Sequence, residues 1–82
     1  MSTDELTGIV LEVLGQIAPE ADMDELSDDI PLRDQLDIDS MDYLNFLIGL
    51  NQRTGVEIAE RDYAELTTLR GCVEYLRARL PG

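Results

Sequence analysis

The chain has no histidine, no lysine and no tryptophan, and it holds one cysteine and one phenylalanine. A serine hydroxyl is a weak nucleophile until a base takes its proton, and histidine or lysine usually fills that role. Composition therefore excludes a Ser/His/Asp triad and a Ser–Lys dyad. Carboxylates could stand in only with strongly raised pKa values in a buried pocket, which 82 residues can hardly build beside a core. Cys72 has no partner for an internal disulfide, and a thiolate zinc site would need further cysteines or histidines. There is no glycine-rich phosphate loop. There is also no apolar run of about 18 residues or more and no basic leader, so neither a membrane span nor a secretory signal is expected, and a cytoplasmic protein is.

Positive charge is scarce as well. Six arginines face 18 acids, a net charge of −12. The imbalance is confined to one half: residues 1–42 hold 13 acids and one arginine, whereas residues 43–82 hold five of each. Such a distribution disfavours nucleic acid and anionic membranes and favours basic partners arriving at the first half. Solubility alone is the simpler reading of the same charge.

The apolar pattern is helical throughout. Ser2-Thr3-Asp4-Glu5 reads as a capping box, and Leu6, Ile9, Val10, Val13, Leu14 and Ile17 follow at steps of three and four, which predicts a helix from about Thr3 to Ala18 ended by Pro19. Glu20 to Asp39 is an irregular, acidic connection, longer than the roughly 12 to 15 residues that loops of compact domains seldom exceed. Met23, Leu26, Ile30, Leu32, Leu36 and Ile38 are its available anchors, and a short turn is expected over Leu32 to Leu36. Its acids lack the glycine and the terminal glutamate of a calcium-binding EF-hand loop.

Asp39 is the expected N-cap of a second long helix, from about Ser40 to Thr54, with Gly55 at its left-handed end. Ser40 then lies in the first turn with its hydroxyl in water. Asp42, also in that turn, is favoured by the helix dipole. At about 100° per residue, Tyr43, Phe46, Leu47 and Leu50 form one apolar stripe and Met41, Leu44 and Ile48 a second beside it. Either the second stripe stays exposed for a partner, or the helix is packed on two sides. Beyond Gly55, a short turn is expected from Glu60 to Leu66 and an N-cap at Thr67. Leu69, Cys72, Val73, Leu76 and Leu80 predict a last helix from about Thr68 to Leu80, stopping before Pro81 and Gly82. Cys72, on that stripe, reads as a small buried hydrophobe.

Asp39-Ser40-Met41 followed by an amphipathic helix resembles the Asp-Ser-Leu motif of acyl carrier proteins. The likeness runs on through Gly55-Val56-Glu57-Ile58 and Thr67-Thr68-Leu69, in the family's order and at its spacing. It implies an all-α bundle of three long helices and one short one, residues 1–82 forming a single carrier domain, with a long loop between helices one and two. It further implies a 4'-phosphopantetheine arm from coenzyme A on Ser40, attached by a phosphopantetheinyl transferase. The arm would hold an acyl group as a thioester for loading and transferring enzymes with basic docking surfaces, in fatty-acid, lipid or secondary-metabolite synthesis. The chain would carry no catalytic residue and no metal and act as a monomer. Asp39, Met41, Leu44 and Ile48 are then the expected partner-binding residues.

The chain departs from the pattern at three places. Asp37 stands where many carriers have glycine, and Met41 replaces the usual leucine. The exposed side of the serine helix carries Asn45, Asn51, Gln52 and Arg53 in place of several glutamates. That implies recognition through the acidic loop and the Met41, Leu44 and Ile48 stripe, as suits a specialised carrier. Ile30-Pro31-Leu32-Arg33 is similar to a segment of peptidyl and aminoacyl carriers, which leaves an amino-acid cargo open. The competing class is an acidic helical module that docks a basic partner and is never modified.

Overall fold

The computed structural model describes residues 2–80. Helix α1 spans Thr3–Ile17, a 3-10 turn covers Met23–Glu25, α2 covers Leu32–Gln35, α3 spans Ser40–Thr54, a 3-10 segment covers Glu60–Leu66, and α4 spans Leu69–Arg79. The fold is all-helical, with α1 packed against both α3 and α4. Among the described residues there are thus three long helices and one shorter segment of seven residues, Glu60–Leu66, as the sequence implies, with two single turns, Met23–Glu25 and Leu32–Gln35, in the long connection. Pro81 and Gly82 lie outside the described residues.

Each long helix begins at a side chain that satisfies a first-turn N–H. Ser2 and Glu5 form the expected capping box of α1, the Ser2 Oγ accepting the Glu5 N–H at 3.2 Å. Thr68, and not Thr67, caps α4 by accepting the Gly71 N–H at 3.0 Å. Thr67 is engaged elsewhere: its carbonyl accepts the Leu32 N–H at 2.7 Å and so ties α2 to the start of α4.

The core follows the apolar stripes. Leu6, Val10, Val13 and Leu14 of α1 meet Phe46, Leu47 and Leu50 of α3 and Leu69, Cys72, Val73 and Leu76 of α4, all buried. The α1–α3 approach depends on Gly49, where an added Cβ would lie 2.7 Å from Val13 Cγ1. At the far end of α3, Gly55 takes φ 76°, the left-handed conformation that closes the helix without a Cβ clash.

The long connection is held by more than its hydrophobes. Leu32, Leu36 and Ile38 are buried, and Met23 and Leu26 pack partly against the core. Ile30 does not anchor: it is 47% exposed. The Gln35 amide does that work instead, accepting the Ser27 N–H at 2.7 Å and donating to the carbonyls of Ser27 at 3.0 Å and Ile30 at 2.8 Å. Arg70 adds a clamp from α4, its N–H reaching the Asp28 carbonyl at 3.0 Å and its Nε the Asp29 carboxylate at 2.6 Å. That bond holds Asp29 below the usual carboxylate range. Among the described residues, no helix is long and apolar enough to cross a membrane.

Candidate functional site

The site is built around the first turn of α3. Asp39 Oδ1 accepts the Asp42 N–H at 2.8 Å, and Asp42 Oδ2 accepts the Asp39 N–H at 3.2 Å, a reciprocal capping box in which aspartate replaces the more familiar glutamate. The Asp39 carbonyl starts the helical ladder by accepting the Tyr43 N–H at 3.0 Å. Ser40 sits inside this clasp. It is exposed, and among the described residues nothing takes a hydrogen bond from its hydroxyl. The N–H groups of Ser40 and Met41, at the positive end of the helix dipole, are left for solvent or for an anion on the serine.

The carboxylates of Asp39 and Asp42, on either side of the serine in the chain, are spent on capping, and the chain offers no histidine or lysine. Ser40 is therefore presented but not activated. The second stripe of α3 opens from it: Met41 is 64% exposed, Leu44 37% and Ile48 45%, along about 10 Å of helix at 1.5 Å per residue. The first stripe faces inward, with Phe46, Leu47 and Leu50 buried. Asp34, Asp37 and Asp39, which precede the serine in the chain, are exposed, with Arg33 the only base of residues 1–42.

The polar side of α3 is less open than its sequence implies. Asn45 and Gln52 are exposed, but Asn51 is half-buried and donates to the Val56 carbonyl at 2.8 Å, fixing the chain beyond Gly55. Arg53 pairs with Glu12 of α1.

Tyr43 is the residue whose role sequence reasoning missed. Periodicity places it on the core stripe, yet it is half-buried and its hydroxyl lies 3.0 Å from the carbonyls of both Tyr63 and Leu66. Burial pushes this phenol up to about 12. No pattern of apolar residues signals such a bond, because it joins α3 to backbone some twenty positions away.

The family model for the phosphopantetheine attachment site matches residues 4–76. The polyketide-8 synthase acyl carrier protein 2 of Streptomyces avermitilis is 30% identical over 80 residues, covering 98% of this chain and 86% of that protein. The acyl carrier protein of Chlamydia caviae is 26% identical over 76 residues, covering 93% and 92%. In fold, the chain is similar to the solved structure of the acyl carrier protein from Enterococcus faecalis, with a TM-score of 0.78 at 23% identity over 95% of this chain and 98% of that one. Taken with an all-helical bundle that leaves a serine at the start of its central helix, these matches mean that the chain belongs to the acyl carrier protein family, whose domain is the attachment site of phosphopantetheine.

Proposed function

We propose that Ser40 is the attachment residue for the 4'-phosphopantetheine arm and that the chain, acting as a monomeric single domain in the cytoplasm, presents acyl groups to partner enzymes. The observation that carries this reading is a serine hydroxyl exposed in the first turn of α3, with neither an internal partner among the described residues nor a base of its own. Those residues fit the group. A phosphodiester on Ser40 would sit at the open N–H groups of the helix, and no packed side chain has to move to admit it. When bound, the arm supplies a thiol that holds the acyl group as a thioester.

The remaining residues serve recognition. Met41, Leu44 and Ile48 offer an apolar strip beside the serine, and the acids of residues 1–42 steer basic surfaces toward it. The transferase supplies the base that takes the Ser40 proton. The hydroxyl oxygen bonds to the phosphorus next to the pantetheine arm, and the pyrophosphate linkage of coenzyme A breaks with adenosine 3',5'-bisphosphate as the leaving group. Acyl-loading and acyl-transferring enzymes then use the same face. The scarcity of acids on α3, together with the 30% identical relative named for a polyketide synthase, supports dedicated secondary-metabolite or lipid synthesis over housekeeping fatty-acid synthesis.

The test is direct because arginine flanks the site on both sides. Tryptic cleavage after Arg33 and Arg53 releases Asp34–Arg53, in which Ser40 is the sole serine and there is no threonine or cysteine. After incubation with coenzyme A and a broad-specificity transferase, this peptide is expected to carry the arm on Ser40. An unmodified peptide, or an arm found elsewhere, contradicts the reading.

A further inference from the structure

The seam between α3 and the Glu60–Leu66 segment begins one turn from Ser40, and Tyr43 closes it. One hydroxyl proton is shared between the Tyr63 and Leu66 carbonyls. Behind it Phe46, Leu66 and Cys72 are fully buried, and the Cys72 thiol donates to the same Leu66 carbonyl at 3.3 Å. An apolar chain entering the core here would break both Tyr43 bonds and supply no donor in their place, leaving the Leu66 carbonyl only the weak Cys72 thiol.

Outside the seam the surface is open. Tyr63 borders two clefts, one of about 270 Å³ beside Tyr43 and one of about 710 Å³ beneath the second half of α3. At 1.5 Å per residue, Ile48 and Asn51 lie roughly 12 and 16 Å along α3 from Ser40. The arm has about as many chain atoms as five residues of backbone and so extends roughly 16 to 18 Å. Laid along the seam, it ends in the larger cleft.

That cleft sets a hydrogen-bonding cluster beside the apolar side chains of Leu47, Ile48 and Ile58. Tyr75 donates its hydroxyl to Asp62 Oδ2 at 2.8 Å, and the Arg79 guanidinium stacks 3.5 Å over the Tyr75 ring and lies 3.7 Å from the same carboxylate. Asn51, its Nδ2 donating to the Val56 carbonyl, lines the same cleft. A saturated chain lying there would strip water from these groups and replace none of its hydrogen bonds, whereas a hydroxy- or oxo-acyl group replaces them.

We propose that the cargo is an oxygen-bearing acyl group held in this outer cleft against the Asp62, Tyr75 and Arg79 cluster, and that Tyr43 bars apolar acyl chains from the core. The proposal rests on Ser40 as the attachment residue and specifies what that residue carries.

The test compares isotopically labelled protein charged with butanoyl, 3-hydroxybutanoyl or octanoyl arms, attachment being verified by mass on each sample. A protein that takes no arm overturns the attachment and this proposal with it, whereas charged protein tests the cleft alone. The 3-hydroxybutanoyl form is expected to shift the NMR resonances of Asn51, Asp62 and Arg79 relative to the butanoyl form. Tyr75→Phe should lower the cleft-bound fraction about two- to tenfold, the worth of one hydrogen bond. Octanoyl should leave the Phe46 and Leu66 resonances in place in the native protein and move them in Tyr43→Phe, which keeps the ring. Identical spectra for the two four-carbon cargoes overturn the cleft. Octanoyl-induced shifts of Phe46 and Leu66 in the native protein, or none in Tyr43→Phe, overturn the barrier.

Discussion

Asp39 and Asp42 hold each other's backbone across Ser40, each carboxylate accepting the other's N–H, at 2.8 Å and 3.2 Å. The serine's exposure is thus set by its two acidic neighbours and not by packing. Asp39→Ala is expected to cost about 0.5 to 2 kcal/mol, the worth of an N-cap, and to slow arm transfer, because the first turn frays. Asp39→Asn keeps an accepting oxygen and should retain most of the stability. Urea denaturation of the three proteins checks both outcomes.

Glycine substitutions separate close approach from mere flexibility. Gly49→Ala places a Cβ 2.7 Å from Val13 Cγ1, and because Val13 is buried and β-branched the helices must part, at about 1 to 3 kcal/mol. Gly55→Ala should cost about 1 to 2 kcal/mol, since φ there is 76°. Gly8 lies exposed within α1 with open space around it, so Gly8→Ala is expected to stabilise by about 0.5 to 1 kcal/mol. Opposite signs at Gly8 and Gly49 in thermal unfolding are the check.

Alkaline pH should weaken the fold through one buried and one half-buried group. Burial pushes the Cys72 thiol from 9.0 up to about 12 and the Tyr43 phenol from 10.0 up to about 12. In that interval the unfolded chain loses protons that the folded chain keeps. The contribution of these groups is therefore whole below pH 9 and declines as pH rises toward 12. Denaturation midpoints measured across this range should fall, less steeply in Tyr43→Phe. In keeping with its burial, Cys72 should resist alkylation in the native protein and react on unfolding.

The apolar strip beside Ser40 should matter to partners and not to folding. Leu44→Gln and Ile48→Gln alter side chains that are 37% and 45% exposed, so stability should stay within about 0.5 kcal/mol. The transferase should nevertheless lose kcat/KM on both variants, and rising salt should lower it further on the native protein by screening the acidic first half. Unchanged kcat/KM on both variants would remove these residues from the docking face.

Much of this was legible in the sequence for local reasons. Ser2, Glu5, Asp39 and Gly55 announce helix ends because capping and left-handed turns are chosen by single residues, and the α1 stripe announces its buried face by spacing alone. What stayed hidden depends on tertiary context. Gln35 bonds to Ser27 and Ile30 across the long connection, and Arg70 reaches Asp28 and Asp29 from the other end of the chain. Ile30 looked like an anchor because apolar character says nothing of whether a neighbour is there to cover it. Thr67 and Thr68 are equally good caps by composition, and only the Leu32 N–H on the Thr67 carbonyl decides between them. At the site itself, Ser40 and the Met41, Leu44 and Ile48 strip can be read from the pattern, whereas the Tyr43 bonds to distant carbonyls cannot.

The intact mass of the purified protein after reaction with coenzyme A and a competent phosphopantetheinyl transferase bears most directly on the role given to Ser40. The native protein should gain the mass of a single phosphopantetheine group, and Ser40→Ala should gain nothing under the same conditions. A native protein that keeps its starting mass beside a control carrier that is fully charged, or a Ser40→Ala protein that gains the group, would contradict it.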